Sequence, residues 1–469
     1  MKPGDAFPAA VPSPESSELK DLALITDLYE LTMAACYHDH RMFERAAFSL
    51  FVREYPPRRR YFVAAGLEDV LLYLRDLRFS AGDLEYLDSL QLFKENFLSY
   101  LEKFQFSGEV QAIPEGRLFF VDEPVLEVEA PLIEAQLVET FLINAVNFQT
   151  MIATKASRCY QAAGQRPLVD FSLRRAQGTE SGLRVARASY IGGFVGTSNV
   201  LAGKTFGLPV VGTMAHSFIT SFDREIEAFR AFGRTFPKNT VLLVDTYDTV
   251  SGASKAARVG KEMAERGESL RGVRLDSGNI AGLSRKVRQA LVQAGVGGAT
   301  IFASGALDED RIRQIIRCGG DIDAFGVGTK MGVSADAPYL DMAYKMVEYG
   351  QRPVLKLSPG KATWAGRKQV FRSLSPAGKL KKDVIGLRDD RLPGEPLLQK
   401  VMSRGKILSG MPALPEIRKK FLDEFAKLGE RYKAVEGRRP VFPVSFSPRL
   451  RRLQSKATRT IARRELGES

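Results

Sequence analysis

The amino-acid sequence predicts an α/β protein, an irregular or incomplete parallel α/β barrel with a second mixed α+β domain formed by the N-terminal and C-terminal regions. Three observations support this fold class. Short β-rich runs alternate with amphipathic helical segments through the middle of the chain. Nearly every run ends in a polar residue or glycine, and the two flanking regions lack this regular alternation. Alternation of this kind is typical of βα units and a parallel sheet.

Residues 1–131 are predicted to form the N-terminal α+β domain. An apolar helical pattern covers LITDLYELTMAACY, and strand-like runs follow in AAFSLFV and VLEVEAP. From Leu132 a long helical stretch, LIEAQLVETFLINAVNFQTMIATKASRCYQAA, repeats apolar residues at three-and-four spacing without internal Gly or Pro. We expect this helix to lead into the next domain.

Residues 132–345 are predicted to form the α/β barrel, with strand runs PLVDFSL, PVVGT, VLLVDT, GVRLDS, TIFAS and IDAFGVG. Several runs end in polar or glycine residues, namely Asp245, Asp276, Ser304 and Gly328. The carboxyl ends of barrel strands form the active face, so these residues should converge there. A doubly wound open sheet also fits the alternation, but the glycine fingerprint usual after its first strand is absent.

The C-terminal part divides into two predicted segments. Residues 346–436 return to strand-like runs, PVLKLS and KQVFRS, and are expected to rejoin the N-terminal domain. Residues 437–469 form a basic tail with nine Lys or Arg against two Glu, a net +7 of the formal +13. Such a tail could contact nucleic acid or an acidic partner, but we favour a solvated or partly helical tail without a specific partner.

The composition limits the class of protein. Hydrophobic residues at 44% and charged residues at 26% are typical of a globular protein, and no stretch approaches the roughly 18 apolar residues of a membrane span. The first twenty residues lack the apolar region of a secretory signal. Three cysteines lie far apart and form no CxxC pair, which argues against disulfides and a zinc knuckle. We therefore expect a soluble, cytoplasmic protein with neither nucleic acid nor membrane as a partner.

Two late strand ends carry glycines in a pattern that suits phosphate. IFASGALDE opens a helix after Ser304 and Gly305, and IDAFGVGTK contains Gly326, Gly328 and Thr329. Glycines allow a phosphate to approach backbone N–H groups, and a helix N-terminus adds partial positive charge. Either segment alone could be a tight turn, whereas the pair in a late-barrel position favours a phosphate clamp.

A carboxylate and a guanidinium share one strand end in GVRLDSGNI. Arg274 and Asp276 are two positions apart, so their side chains face the same side of the strand. Together they could bind a sugar hydroxyl and an anion, or they could form a structural ion pair, and the spacing leaves both open. Asp245 and Asp248 offer carboxylates for ribose hydroxyls or Mg²⁺, although Asp248 could equally cap the following helix.

An imidazole and an aromatic ring complete the candidate residues. His216 follows a strand that ends in Gly212 and Thr213, the position from which a barrel presents catalytic groups, although a lone histidine is often structural. Phe171 in DFSLRRAQG precedes Arg174 and could stack on a flat ring, with the arginine binding phosphate or carboxylate. A core phenylalanine with surface arginines is the alternative.

Taken in order, these motifs resemble the nicotinate phosphoribosyltransferase family. The matching stretches run from Ile25 to Lys345, and PVLKLSPGKATWAGRKQVFR extends the likeness to Arg372. They are ITDLYELTMA, YFVAAGLEDVL, DFSLRRAQG, YIGGFVGTSNVLAG, GTMAHSFI, LLVDTYDT, GVRLDSGNI, FASGALDE, FGVGTK and DAPYLDMAYK. The resemblance implies a type II phosphoribosyltransferase fold and a homodimer whose active sites take residues from both subunits.

The resemblance also implies how the ring is bound. Phe171 and Tyr29 would sandwich a pyridine ring, with Tyr29 supplied by the partner subunit, while Thr213 and Arg274 would contact nicotinate. Related nicotinamide enzymes carry an aspartate at the position of Ser198. A carboxylate there would repel nicotinate, whereas a serine hydroxyl can donate a hydrogen bond to it. Ser198 therefore favours the acid over the amide.

The remaining expected roles concern phosphates and catalysis. The residues expected to bind phosphates are Arg53, Arg174, Ser304, Gly305, Gly326, Gly328 and Thr329. By resemblance, Asp276 would hold the ribose side, and His216 matches the histidine that this family phosphorylates with ATP.

The implied reaction joins nicotinate to phosphoribosyl pyrophosphate (PRPP) in NAD salvage, with ATP as co-substrate and Mg²⁺ as cofactor but without direct protein ligands to the metal. Since pyrophosphate is already a leaving group and the pyridine nitrogen carries a lone pair, positioning and electrostatics should suffice. The alternatives are a nicotinamide or quinolinate phosphoribosyltransferase, and a non-catalytic phosphate-binding barrel protein.

Overall fold

The computed structural model describes residues 22–358, 363–437 and 440–467. The expectation for the first twenty residues lies outside these ranges. The chain divides into two compact units. Unit 1 contains Lys155–Asp336, and unit 2 contains the described residues before 155 and after 336.

The N-terminal part of unit 2 combines helices with short strands, as predicted. Its helices are α1 (Leu28–Asp39), α2 (Leu67–Asp76), α3 (Ala81–Ser89), α4 (Glu95–Glu102) and α5 (Leu132–Leu137). Its strands are β1 (Arg45–Val52), β2 (Phe62–Val63), β3 (Glu109–Ala112), β4 (Leu118–Phe119) and β5 (Leu126–Pro131). The predicted runs AAFSLFV and VLEVEAP coincide with β1 and β5, which pair antiparallel.

The long helical stretch predicted from Leu132 is two helices, because α5 ends at Leu137 and α6 spans Glu139–Ala163. The division between the units falls within α6, after Thr154. The predicted barrel region, 132–345, therefore begins earlier and ends later than unit 1, which spans 155–336. A helix without Gly or Pro carries no local signal for the point at which its packing partners change.

Unit 1 alternates strands and helices along the chain. Its strands are β6 (Leu168–Asp170), β7 (Gly196–Thr197), β8 (Val241–Leu243), β9 (Gly272–Leu275), β10 (Thr300–Ala303) and β11 (Ala324–Val327). Its helices after α6 are α7 (Thr179–Ile191), α8 (Val200–Phe206), α9 (His216–Thr220), α10 (Glu225–Thr235), α11 (Thr249–Ala264), α12 (Ile280–Gln293), α13 (Glu309–Arg317) and α14 (Thr329–Gly332). A 3-10 turn covers Leu173–Arg175.

The sheet of unit 1 is an incomplete parallel barrel, which confirms the predicted fold class. Within the described residues the strand order is β7-β6-β11-β10-β9-β8, and all five pairings are parallel. The last strand, β11, pairs with the first, β6, as in a closed barrel, and the circle is open between β7 and β8. The predicted strand PVVGT contributes only a bridge between Val210 and Thr197. Strand side chains such as Val273, Ile301 and Phe325 are fully buried.

The chain then returns to unit 2, as the sequence predicts. The strands are β12 (Met342–Tyr349), β13 (Arg352–Pro353), β14 (Lys368–Leu374), β15 (Leu380–Leu387), β16 (Glu395–Pro396), β17 (Gln399–Ser403), β18 (Lys406–Ile407) and β19 (Val444–Phe446). The helices are α15 (Leu414–Lys427), α16 (Glu430–Lys433) and α17 (Pro448–Leu466). Described strands from both ends of the chain share one seven-stranded sheet, in the order β13-β12-β1-β5-β3-β17-β18.

The described part of the predicted basic tail, 437–469, is partly helical, as we favoured, and lies in unit 2. Strand β19 pairs with β15, and Ser447 caps α17 by accepting a hydrogen bond from Leu450 N at 3.1 Å. Leu450 is fully buried and Ala457 is 5% exposed, so apolar burial anchors one face of the helix. Across the described ranges, every helix is too short or too polar to span a bilayer.

Candidate functional site

Arg274 and Asp276 lie at the carboxyl end of β9 and are joined to neighbouring strand ends. The Arg274 guanidinium donates from Nη1 to Thr213 Oγ1 at 2.8 Å and to the Met214 carbonyl at 2.9 Å. Its Nη2 lies 3.3 Å from Asp276 Oδ1. The two side chains face the same side, as their spacing predicts, and Arg274 is largely buried, with 14% of its side chain exposed.

Ser304, after β10, contacts both members of this ion pair. Its hydroxyl donates to Asp276 Oδ1 at 2.5 Å and accepts from Arg274 Nε at 3.0 Å. From the other side, Asp245 Oδ2 accepts from Asp276 N at 2.8 Å and from Ser277 Oγ at 2.7 Å. The ends of the two neighbouring strands, β8 and β10, therefore hold the Asp276 segment in place.

Phe171 presents its ring beside the guanidinium. Arg274 Cζ lies 5.8 Å from the Phe171 ring centroid, and the Phe302 ring is 5.6 Å away at a tilt of 37°. A Cβ on Gly326 would lie 2.7 Å from carbons of the Phe171 ring, so glycine makes room for this ring. An aromatic face next to a cation suits a flat anionic ring.

A buried carboxylate supports the segment on either side of Phe171. Asp170 accepts hydrogen bonds from Ser172 N at 2.8 Å, Ser172 Oγ at 2.5 Å and Thr197 Oγ1 at 2.7 Å. Burial raises the pKa of Asp170, and these hydrogen bonds oppose that rise. The Asp170 carbonyl also accepts from Ser198 N at 2.8 Å, which places half-buried Ser198 next to the strand end that carries Phe171.

His216 begins α9, and its ring is held by the loop after β8. Its Nδ1 lies 3.1 Å from Thr246 Oγ1. The neighbouring Asp245 has a second carboxylate oxygen, Oδ1, that is buried and has no hydrogen-bond partner among the described residues. Asp245 thus connects the His216 loop to the Asp276 segment.

The predicted phosphate loops follow β10 and β11. Gly305 has φ +90°, and a Cβ there would lie 1.8 Å from the Asp276 carbonyl oxygen, so only glycine fits. Gly328 lies against the Phe171 carbonyl, and Thr329 is exposed after it. Lys330 donates to Asp308 Oδ2 at 2.8 Å. In this structure the Lys330 cation thus has a carboxylate partner.

The other predicted residues are distributed between the two units. Arg174 is exposed in the 3-10 turn after Phe171, in unit 1. Tyr29 and Arg53 belong to unit 2. Tyr29 is 46% exposed at the start of α1, and partial burial followed by the charge of Glu139 raises its pKa. Arg53 pairs with Asp341 at 3.5 Å.

Sequence reasoning missed three groups that shape this site. They are the Asp170 network, the Ser277 hydroxyl that joins Asp245, and the Asp308 carboxylate that pairs with Lys330. Asp170 carried a usable signal, because it ends the run PLVD just as Asp245 ends VLLVD. The partners of the other two lie on distant segments.

Comparisons with known proteins agree with this geometry. Residues 24–147 match the nicotinate phosphoribosyltransferase (NAPRTase) N-terminal domain, and residues 167–367 match the nicotinate phosphoribosyltransferase (NAPRTase) family. Nicotinate phosphoribosyltransferase pncB2 of Mycobacterium tuberculosis is 45% identical over 91% of this chain and 92% of its own length. The Bacillus subtilis nicotinate phosphoribosyltransferase is 38% identical over 91% of this chain and 93% of its own length.

A solved structure supports the same relationship. The crystal structure of human nicotinic acid phosphoribosyltransferase has a TM-score of 0.82 and 29% identity, and the match covers 92% of this chain and 100% of that chain. Both domains, the order of the strand-end residues and the fold point to one conclusion. The chain belongs to the nicotinate phosphoribosyltransferase family.

Proposed function

We propose that this chain joins nicotinate to PRPP, forming nicotinate mononucleotide and pyrophosphate in NAD salvage, with hydrolysis of ATP to ADP and phosphate. One observation carries the proposal: Arg274 lies 5.8 Å from the centre of the Phe171 ring and also reaches Asp276, at a face where several barrel strands end. That grouping suits a planar anion that binds beside a carboxylate able to hold a ribose.

In the proposed mechanism, positioning and charge replace acid and base chemistry. Nicotinate stacks on Phe171, and its carboxylate faces Arg274 and Thr213. Asp276 steadies the positive charge that develops on the ribose as pyrophosphate departs, and the pyridine nitrogen attacks C1. Gly305, Gly328 and Thr329 hold the 5-phosphate through backbone N–H groups and a hydroxyl, with Arg174 facing the phosphates.

The residues at the site fit a magnesium ion brought in with PRPP. Asp245 Oδ1 is a buried carboxylate oxygen without a hydrogen-bond partner in the described structure, and Asp276 is adjacent. Oxygen ligands of this type suit Mg²⁺, whose water ligands these carboxylates would bind. The ion would neutralise charge on the departing pyrophosphate.

ATP enters the proposal through His216, the expected phosphohistidine. Thr246 engages Nδ1 and so fixes the orientation of the imidazole ring. Phosphorylation of His216 favours the productive conformation, and hydrolysis of the phosphohistidine draws the reaction toward nicotinate mononucleotide. We further propose a cytoplasmic homodimer without nucleic-acid or membrane partners, which fractionation and electrophoretic binding assays would check.

The deciding experiment is an assay of the purified full-length protein with PRPP, Mg²⁺ and each of three pyridines, with and without ATP. We expect turnover of nicotinate with formation of ADP. Equal use of nicotinamide would contradict the argument from Ser198, and use of quinolinate would identify a different pyridine enzyme. Binding of PRPP without turnover of any pyridine would favour a non-catalytic barrel protein.

A further inference from the structure

Ser304 is expected from the sequence to bind phosphate, but its hydroxyl is engaged elsewhere. The residue is 2% exposed, so solvent reaches little of it. Its hydroxyl lies 2.5 Å from Asp276 Oδ1 and 3.0 Å from Arg274 Nε. The Leu275 carbonyl is 3.5 Å away, which is too long for a strong O–H···O bond.

The Ser304 hydroxyl already uses its only proton in a hydrogen bond. A serine hydroxyl has one proton to donate. The hydroxyl donates this proton in a hydrogen bond to Asp276 Oδ1 at 2.5 Å. The Ser304 oxygen in turn accepts a hydrogen bond from Arg274 Nε. A phosphate oxygen needs a donor, and the Ser304 hydroxyl has no second proton to offer it.

The backbone around Ser304 is held against the Asp276 segment. Ser304 N donates to the Leu275 carbonyl at 2.8 Å. The next residue, Gly305, has φ +90° and approaches Asp276 so closely that a Cβ would lie 1.8 Å from its carbonyl oxygen. The loop after β10 is thus packed directly against the Asp276 segment.

We propose that Ser304 is a positioning residue that sets the separation of Arg274 and Asp276, rather than a phosphate ligand. This inference rests on the proposed function, in which Arg274 faces the nicotinate carboxylate and Asp276 faces the ribose. The hydroxyl bonds both Nε and Oδ1 and holds the ion pair at its present Nη2–Oδ1 distance of 3.3 Å instead of a closer contact. Without it, Arg274 would form a closer pair with Asp276 and withdraw from the ring site.

The first test separates the two roles by kinetics. In Ser304→Ala we expect kcat to fall about 10- to 100-fold, because small displacements of reacting groups are costly. The KM for nicotinate should rise through Arg274, while the KM for PRPP stays within about twofold because no phosphate contact is lost. A large rise in the KM for PRPP with unchanged kcat would restore the phosphate role and overturn the proposal.

Two variants serve as controls. Ser284→Ala removes another buried hydroxyl of unit 1, which bonds Asp321 N at 3.0 Å, and should leave all three kinetic constants unchanged. Ser304→Thr keeps the hydroxyl and should recover most of kcat. A threonine variant that folds with the wild-type melting temperature but is as slow as the alanine variant would refute the role of the hydroxyl.

A crystal structure of Ser304→Ala supplies a readout that needs no turnover. We expect the contact between Arg274 Nη2 and Asp276 Oδ1, 3.3 Å here, to shorten and the guanidinium to move from Phe171. Unmoved side chains would overturn the proposal even in an active enzyme. If the wild-type protein fails to turn over nicotinate but the side chains move, the proposed function fails and the positioning geometry stands.

Discussion

Ser198 bears on whether this site accepts the acid, nicotinate, or the amide, nicotinamide. The residue is half-buried after β7, and its backbone N–H donates to the carbonyl of Asp170, which precedes Phe171. A side chain at this position is therefore fixed near the strand end that carries the aromatic ring.

We predict that Ser198→Asp lowers kcat/KM for nicotinate at least about fivefold. Two like charges a few ångströms apart at a protein surface repel by roughly 1–4 kcal/mol, and about 1.4 kcal/mol corresponds to a factor of ten. Competition assays with nicotinate and nicotinamide measure the change. Ser198→Ala, which adds no charge, should cost less, and an aspartate variant with wild-type activity on nicotinate would show that this position does not select the acid.

His216 is the second residue whose role a single substitution tests. We predict that His216→Ala makes the rates with and without ATP equal and abolishes ADP formation, since the imidazole is the proposed phosphate acceptor. Coupled assays of ADP and nicotinate mononucleotide measure both. His40→Ala, an exposed histidine in unit 2, should retain the effect of ATP. Persistent stimulation of His216→Ala by ATP would require another acceptor.

At the scale of elements, the ends of the parallel strands lie so close together that functional groups fit only because two neighbouring positions are glycine. Gly326 within β11 leaves space for the Phe171 ring, and Gly305 after β10 leaves space for the Asp276 carbonyl. The site is thus shaped by close approach of neighbouring strands as well as by the side chains that face the ligand.

We predict that Gly326→Ala raises the KM for nicotinate by about 2- to 10-fold, because an aromatic stacking contact worth roughly 0.5–1.5 kcal/mol is displaced. The added methyl would lie 2.7 Å from the Phe171 ring and 2.8 Å from Phe302. Steady-state kinetics measures the effect. Gly298→Ala, where an added methyl meets nothing within 4 Å, should behave as wild type. An unchanged KM in Gly326→Ala would place the nicotinate site away from Phe171.

A buried ion cluster joins α6 to the first turn of α13 within unit 1. Glu309 lies 2.6 Å from Lys155 and 2.9 Å from Arg158, and its side chain is fully buried. Burial opposes ionisation of Glu309, but the charges of Lys155 and Arg158 outweigh it and hold the pKa of its carboxyl below the ordinary value. The cluster anchors the helix that follows the Gly305 loop.

We predict that Glu309→Gln lowers the free energy of unfolding at pH 7 by about 3–5 kcal/mol, because it breaks a buried ion cluster from which Lys155 keeps its contact with Asp336 at 2.6 Å. Since the folded-state pKa is lowered, the stabilisation is complete above the ordinary carboxyl pKa of about 4.3 and is lost as pH falls through the folded value. Denaturant unfolding between neutral and acid pH should show a steeper loss in wild type than in Glu309→Gln. The partly exposed pair of Arg266 and Glu268 offers the control, and Glu268→Gln should lower the free energy of unfolding by less than about 1 kcal/mol. Equal pH slopes for wild type and Glu309→Gln would contradict the assignment.

At the scale of the whole molecule, the proposed homodimer with shared sites makes a prediction about mixed subunits. Tyr29 would be supplied by one protomer and Asp276 by the other. Tyr29→Ala and Asp276→Ala should each be nearly inactive alone. Co-refolded in equal amounts, they should recover about a quarter of wild-type activity, since half of randomly formed dimers carry one intact site. Absence of recovery, with hybrid dimers demonstrated by differential tagging, would mean that each site is built from one chain.

Much of the site was predictable because its residue types sit at recognisable strand ends. Phe171, Thr213, Arg274 and Asp276 were expected at one face of a barrel, and hydrogen bonds and ring contacts connect them there. The partner of Ser304 was not predictable. Its hydroxyl is used by residues some thirty positions earlier in the chain, and no local pattern encodes that pairing.

The sequence by itself determined the alternation of strands and helices in the barrel, the residues at most strand ends and the family, because periodicity, turn residues and motif order are local properties of the chain. Tertiary structure alone decided that helix α5 ends before α6 begins, that the basic tail adds the edge strand β19 to a sheet, and that the Ser304 hydroxyl bonds Arg274 and Asp276. These outcomes depend on contacts between segments distant in sequence, whose free energy is set by packing and burial in the folded chain.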